Sequence, residues 1–317
     1  MTSPHFSSGD LIADRRADYA RMFAESGEFA EAAELMEQAL EQVPLWAAGW
    51  FRLAEYAEKS GRKEAATAAL EKVVALDPSD IFGASLKLAV LGAAEPPAAP
   101  PTPYVERLFD DYADRFDTAL VEKLDYTVPQ TLARLVLKHA GADRKFGLVC
   151  DIGCGTGLFG VEFRAHAGRL EGFDLSAGML AKAEEKAVYD HLAQADLSLP
   201  AGESGLFANG PEARADLVSA ADVLMYLGDL AEVFPSVARL ARPGGLFAFS
   251  VEDGGTGDAP LLRPSLRYAH PEAFIRRRLA ESGFDLLALE RSVIRRDAGQ
   301  PVHGLLFLAR RHGQACN

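Results

Sequence analysis

The sequence predicts an α/β domain built on a mostly parallel sheet, preceded by an all-α segment. Three observations predict it. From Phe146 onward, apolar runs of strand length alternate with stretches of helical period, the pattern of a parallel sheet covered by helices. The stretch Val149–Gly160 runs from apolar residues through Asp151 and glycines at 153, 155 and 157 into a new apolar helical pattern. A strand must stop there, the backbone must turn tightly, and a helix must begin with free N–H groups. Before Pro96 there is an internal repeat of helical character.

A chain of 317 residues is long enough for two domains. At 49% hydrophobic and 25% charged it has the make-up of a globular protein. Its net charge is −13. Nonspecific binding to a nucleic-acid backbone needs a basic face, and none is visible, so no nucleic-acid partner is expected. Met1–Arg16 has no apolar leader, and no run approaches the roughly 18 apolar residues of a membrane span. The expectation is a soluble, cytoplasmic protein without a membrane partner. Cys150 and Cys154 flank the central turn and Cys316 stands far away, which reads as reduced thiols rather than a framework. No Cys/His pair follows them at ligand spacing, so no metal is expected.

In chain order, Ala20, Gly27, Ala32, Ala39 and Pro44 recur as Ala54, Gly61, Ala66, Val73 and Pro78, each 34 positions later. Small residues let two antiparallel helices approach. The glycine ends the first helix and the proline follows the second. Leu35, Met36 and Leu40 share one helix face, and Trp50, Leu53 and Tyr56 another. The period and pattern resemble the tetratricopeptide repeat. Two repeats are visible, and a capping helix is expected over roughly Asp80 to Leu91. Up to Glu95 there are 16 acidic and 9 basic side chains. Such a stack serves either a peptide or protein partner, self-association, or a scaffold role.

Five prolines between Glu95 and Pro103 deny both helix and sheet ladder, so residues 96–103 read as an extended linker. The expected domains are 1–95, all helical, and 104–317. From Tyr104 to Asp117, Leu108, Phe109, Tyr112 and Phe116 recur at helical spacing. They read as a core stripe or as a lid that keeps water from a ligand, and both hold together. Pro129 to His139 is a further helix.

After the glycine turn, Leu170–Phe173 is the second strand and ends in Asp174. Ser176 then caps a helix. His191–Ala195 is a short strand closing on Asp196. Leu197 to Arg214 reads as a loop. Asp216–Ala221 is the fourth strand, and Asp222–Leu227 leads into a helix to about Leu240. Arg242–Gly245 reads as a sharp turn before a fifth strand, Leu246–Val251. Pro271–Glu281 is a helix with three arginines. Leu286–Val293 and Val302–Ala309 form a hairpin around Asp297–Gln300.

Two cofactor classes suit the central turn. Gly155–Gly160 matches the dinucleotide pattern G-x-G-x-x-G. The longer pattern D-x-G-x-G-x-G, Asp151 to Gly157, adds an acid facing the loop. An acid there repels a pyrophosphate and suits a cationic ligand. S-adenosylmethionine carries an ammonium and a sulfonium and has no phosphate. Asp174, 19 residues beyond Gly155, is placed to accept from ribose hydroxyls. Asp196 can accept from an adenine amino group.

The Asp151–Gly157 loop, Asp174, Asp196, the Asp216–Leu227 run and Pro243–Gly245 together resemble a class I S-adenosylmethionine-dependent methyltransferase. With the repeat pair, the chain is similar to a group of tetratricopeptide-containing predicted methyltransferases. The resemblance implies a Rossmann-like, seven-stranded sheet of order 3-2-1-4-5-7-6 with the last strand antiparallel. It implies that Gly153, Gly155 and Gly157 line the methionine part and that Asp151 holds the amino group. Asp174 takes the ribose and Asp196 the adenine. Leu175, Leu197, Ala221 and Tyr112 complete the cofactor set. The acceptor, a small molecule or a protein, does not transfer with the resemblance.

Methyl transfer is a displacement at the sulfonium carbon, so catalysis is mainly alignment in a dry site. A base is needed only when the acceptor carries a proton. His270, Tyr226 and Asp222 are the candidates near the carboxyl edge of the sheet. Two competing classes stand beside this one: an NAD-dependent oxidoreductase, and a non-catalytic binding protein that works through its repeats.

Overall fold

The computed structural model describes residues 7–113, 126–208, 210–297 and 299–313. The chain divides into two compact units between Tyr104 and Val105, with Pro264–Leu266 belonging to the first.

The first unit is helical: α1 (Leu11–Glu25), α2 (Phe29–Gln42), α3 (Ala47–Lys59), α4 (Lys63–Leu76) and α5 (Ala84–Val90). Asp10 caps α1, accepting from the N–H groups of Ile12 and Ala13 at 2.9 and 2.8 Å. The repeated small residues Ala20, Ala32, Ala39, Ala54, Ala66 and Val73 are all buried. Gly27 and Gly61 turn the chain at φ +84° and +78°, each ending the first helix of a pair. Around them pack Met36, Leu40, Trp46, Leu53, Leu70 and Phe82. The last helix is shorter than the expected 80–91. Asp80, at φ +51°, turns the chain first and accepts from the N–H groups of Ala84 and Ser85, so α5 starts only after Gly83.

Helix α6 (Thr102–Tyr112) begins inside the expected linker. Pro103 sits in its first turn, where a missing N–H costs nothing. Phe116 and Cys316 lie outside the described residues. In the second unit follow α7 (Val128–Ala140), β1 (Phe146–Ile152), α8 (Leu158–Phe163), β2 (Ala167–Asp174), α9 (Ala177–Glu185), β3 (His191–Gln194) and β4 (Ala215–Ala220). Then come α10 (Val233–Leu240), β5 (Ala241–Asp253), β6 (Leu261–Leu262), β7 (Tyr268–His270), α11 (Glu272–Glu281), β8 (Phe284–Asp297) and β9 (Gln300–Arg311).

The main sheet runs β3-β2-β1-β4-β5-β9-β8, with β9 antiparallel to both neighbours. That is the expected 3-2-1-4-5-7-6 order. Two short strands bring the total to nine. The reason is length. β4 pairs with β5 only as far as Phe249, but β5 runs on to Asp253. The bare edge beyond takes β7, at Glu252 and Asp253, and β6 pairs with β7. The core between β1, β4, β5, α7 and α8 is built from Leu132, Val136, Val149, Phe159, Phe163 and Leu217.

Two expected elements differ. Arg242–Gly245 is a bulge inside β5 rather than a turn before it, with Gly244 at φ +76°. A Cβ on Gly245 would stand 2.8 Å from the Arg242 carbonyl oxygen. The helix expected to run from Asp222 to Leu240 is broken. Leu224–Tyr226 is one 3₁₀ turn, and α10 begins only at Val233.

Candidate functional site

The site forms at the carboxyl end of β1. Gly153, Gly155 and Gly157 have φ of +67°, +54° and +91°, in the left-handed region that favours glycine. At Gly153 a Cβ would also stand 2.3 Å from the Val223 side chain. The loop is tied to β2 on its outer side. The Cys154 N–H donates to the Phe173 carbonyl at 2.9 Å. The Gly155 N–H donates to Asp174 Oδ2 at 2.8 Å. Asp174 Oδ1 accepts from the Ser176 N–H at 2.9 Å. One carboxyl therefore joins the glycine loop to the start of α9, where Ser176 is the cap.

Asp151 faces inward. Its Oδ2 accepts from the Tyr189 hydroxyl at 2.7 Å and its Oδ1 from Ser219 Oγ at 2.8 Å. Burial pushes the Asp151 carboxyl up to about 7, against the pull of those two hydrogen bonds. Burial likewise raises Asp174 to about 6, against the hydrogen bonds from Ser176 and Gly155. The partners of the two acids among the described residues are backbone N–H groups and hydroxyls rather than basic side chains. The Asp174 charge further raises the cost of ionising Asp151, and the Asp110 charge does the same to Asp174.

Tyr189 was not legible as a site residue. Its ring occupies space left by three glycines. A Cβ on Gly157, Gly160 or Gly172 would come within 2.9, 2.5 or 2.8 Å of that ring. The signal was the run of glycines itself, on three separate elements, converging on one large side chain.

Asp196 lies one strand further out, past β3. Its Oδ1 accepts from the Ser198 N–H and Oγ at 2.8 and 2.6 Å. Leu197 beside it is buried, and Leu175 is half-buried. The Leu175 carbonyl accepts from Gln194 Nε2 at 2.7 Å. Ala221, half-buried, follows the last residue of β4.

Helix α6 crosses this edge. Asp110 Oδ1 accepts from Ser176 Oγ at 2.5 Å and from the Gly178 N–H at 3.1 Å. Gln194 Nε2 donates to Glu106 at 3.2 Å. Phe109 packs edge-on against Tyr226, ring centres 4.9 Å apart. Tyr112 is half-buried at the last turn of the same helix. The helix thus touches both the Asp174 side and the Tyr226 side of the edge, as a lid does.

The three candidate bases come together at the edge, and each is engaged. Asp222 adopts φ +59°, and its N–H donates to Ser250 Oγ at 2.8 Å. Both its carboxyl oxygens accept from Arg295 Nη1, at 2.9 and 2.8 Å. Arg295 is 2% exposed and also pairs with the equally buried Glu252. Arg295 stays charged despite burial because these carboxylates face it. Arg267 and Arg263 approach Glu252 at 3.3 and 3.7 Å and are partly open to solvent. His270 is fully buried, and its Nε2 donates to the carbonyls of Leu227 and Gly228 at 2.9 and 3.2 Å. Burial lowers its pKa to about 4. Burial also raises the phenol of Tyr226, and raises Tyr126 well above its ordinary value. Arg295 and Glu252 were missed. Each stands near the end of its strand beside another charge, Arg296 and Asp253, so neither gave a signal in the sequence.

Among the described residues, no group of three or more His, Cys, Asp or Glu is placed to hold a metal ion. No described helix is long and apolar enough to cross a membrane.

A tetratricopeptide-repeat family model matches residues 23–88, and a methyltransferase-domain model matches residues 122–289. Malonyl-[acyl-carrier protein] O-methyltransferase of Enterobacter lignolyticus is 30% identical over 142 residues, 45% of this chain and 53% of that protein. The enzyme of the same name from Serratia marcescens is 28% identical over 160 residues, 49% of this chain and 56% of that one. The chain therefore spans about half the length of the curated relatives it matches. Among solved structures, the 1,6-didemethyltoxoflavin-N1-methyltransferase of Burkholderia thailandensis, with S-adenosylhomocysteine bound, shares the fold. Its TM-score is 0.50 at 18% identity, over 69% of this chain and 93% of that one. These findings set aside the dinucleotide reading of Gly155–Gly160. With more than half its length matched by the methyltransferase-domain model, the chain belongs to the S-adenosylmethionine-dependent methyltransferases.

Proposed function

We propose that the protein transfers the methyl group of S-adenosylmethionine to a carboxylate oxygen of its acceptor. The observation that carries this is the capture of both Asp222 carboxyl oxygens by Arg295 Nη1. Asp222 is held in an ion pair, burial makes His270 a weak base at about 4, and Tyr226 resists ionisation, so none of the three candidates is poised to take a hydroxyl proton. A hydroxyl acceptor would have to lose its proton to one of them. A carboxylate is already ionised at neutral pH and needs no base. The two relatives are O-methyltransferases by name, which points the same way.

The residues fit the cofactor. Asp151, a buried carboxyl held above its ordinary pKa, suits the cofactor's ammonium, and Asp174 suits its ribose. In this reading Asp151 takes the amino end, Asp174 the ribose, and Asp196 with Leu197 the base. Leu175, Ala221 and Tyr112 line the remainder. When bound, the cofactor supplies an activated methyl on a good leaving group. The chain's own residues do the rest. The glycine loop lets the ligand lie against backbone, and Phe109 and Tyr226 close one wall against water. Asp222, Tyr226 and His270 then act as walls and braces.

A methyl ester is labile to alkali. Labelled cofactor and a panel of carboxylate-bearing acceptors, followed by alkaline treatment, should release labelled methanol. Label that survives alkali on nitrogen, sulfur or carbon would refute the carboxylate reading while leaving the methyltransferase intact.

A further inference from the structure

The first helix of the repeat unit is apolar on two opposite faces. Its inward face is Ala13, Ala17 and Ala20, each at most 1% exposed. The face about half a turn away carries Leu11, Ile12, Tyr19, Met22 and Phe23, exposed at 67%, 56%, 60%, 57% and 37%. Burial inside the repeats explains the alanines and leaves the large residues unexplained. A solvated helix face has no use for five of them. Together they present on the order of 500 Å² of apolar-rich surface, at the upper end of what a monomer leaves bare.

We propose that this face is the interface of a homodimer, formed by two copies of α1 packed antiparallel across a two-fold axis level with residue 17. The face is its own complement. An antiparallel pair centred there sets Leu11 against Met22 of the second copy, and Ile12 against Phe23, pairs that share a direction around the helix. Arg15 meets Tyr19 and Asp18, both exposed on the same face. By symmetry each contact occurs twice, as an isologous interface requires. Arg15 then faces an acid across the axis, whereas a parallel pair would set Arg15 against Arg15. Asp18's existing partner, Arg21 at 3.6 Å, is an exposed pair and holds it weakly. Two such faces bury roughly 1,000 Å² or more, the lower bound for a specific interface. Repeat stacks also gain from a further layer at an open end.

The test is sedimentation equilibrium of the full chain between about 1 and 100 µM. The parent should be a dimer over most of that range. Tyr19→Glu, on an exposed position that leaves the helix intact by circular dichroism, should raise the dissociation constant about tenfold or more. Arg15→Glu and Asp18→Arg should each weaken the dimer, and the double exchange should restore it to within a few-fold. A parent that stays monomeric overturns the proposal. So does a dimer indifferent to Tyr19→Glu, or a double exchange that fails to restore what the single changes lose.

Discussion

Cofactor binding should strengthen as the pH rises through neutrality, and it should shed protons. The perturbation is pH itself, with Asp151→Asn as the control. In the ligand-free protein burial holds Asp151 at about 7 and Asp174 at about 6. Both lie above the ordinary carboxylate range, so the protonated forms are the favoured ones. The stability that goes with them is fully present below about pH 4 and is lost as pH rises through 6 and 7. For Asp151 that loss comes to about 4 kcal/mol, from a shift of about three pH units. A cationic ligand beside the carboxyl recovers part of it by favouring the ionised form. Binding should then release about half a proton from Asp151 at pH 7 and about nine-tenths at pH 6. Below pH 6 the binding constant should fall about tenfold per pH unit. The two acids interact, so the profile belongs to the pair. Calorimetric titration with S-adenosylmethionine in buffers of different ionisation enthalpy reads the proton count directly. Asp151→Asn should flatten the profile. A parent whose binding enthalpy is independent of buffer between pH 6 and 8 would refute the placement of a positive centre against Asp151.

Tyr189→Phe keeps the ring among its three glycines and removes only the hydroxyl that donates to Asp151. A hydrogen bond to a charged group is worth about 1.5–3 kcal/mol, so denaturant unfolding should show a larger loss at pH 8, where Asp151 is ionised, than at pH 5. Equal losses at both would mean that the hydroxyl does not brace the carboxylate. Removing residues 1–95 should leave cofactor affinity within a few-fold, because every proposed cofactor residue lies beyond residue 104. A truncated protein that folds by circular dichroism yet binds no cofactor would show that the repeats build part of the pocket.

What the sequence disclosed depends on how far apart the interacting residues lie. The repeat pair was legible because its small residues, glycines and prolines recur at fixed spacing and act locally. The Asp151–Gly157 turn was legible because left-handed backbone leaves glycines behind in the sequence. Strands β6 and β7 were not, since two and three residues carry no period. The bulge at Gly244 and the break before α10 depend on neighbours in the sheet and on His270, 42 residues beyond Gly228. The grouping of Asp222, Tyr226 and His270 at one edge followed from topology. Their states did not, because Arg295 arrives from 73 residues away. A base written in a sequence becomes a brace once its partner is seen.

The position of β9 constrains the order in which the site can form. β8 joins the sheet only through β9, and β9 lies between β5 and β8. A growing chain that has reached Asp297 therefore owns Arg295 but has no ladder on which to hold it. Until β9 slides in, Asp222 and Glu252 lack the cation they share. Docking of the hairpin and pairing of Asp222 and Glu252 with Arg295 are thus one event. A released chain ending at Asp297 should remain open to protease along β5, and the full chain should not.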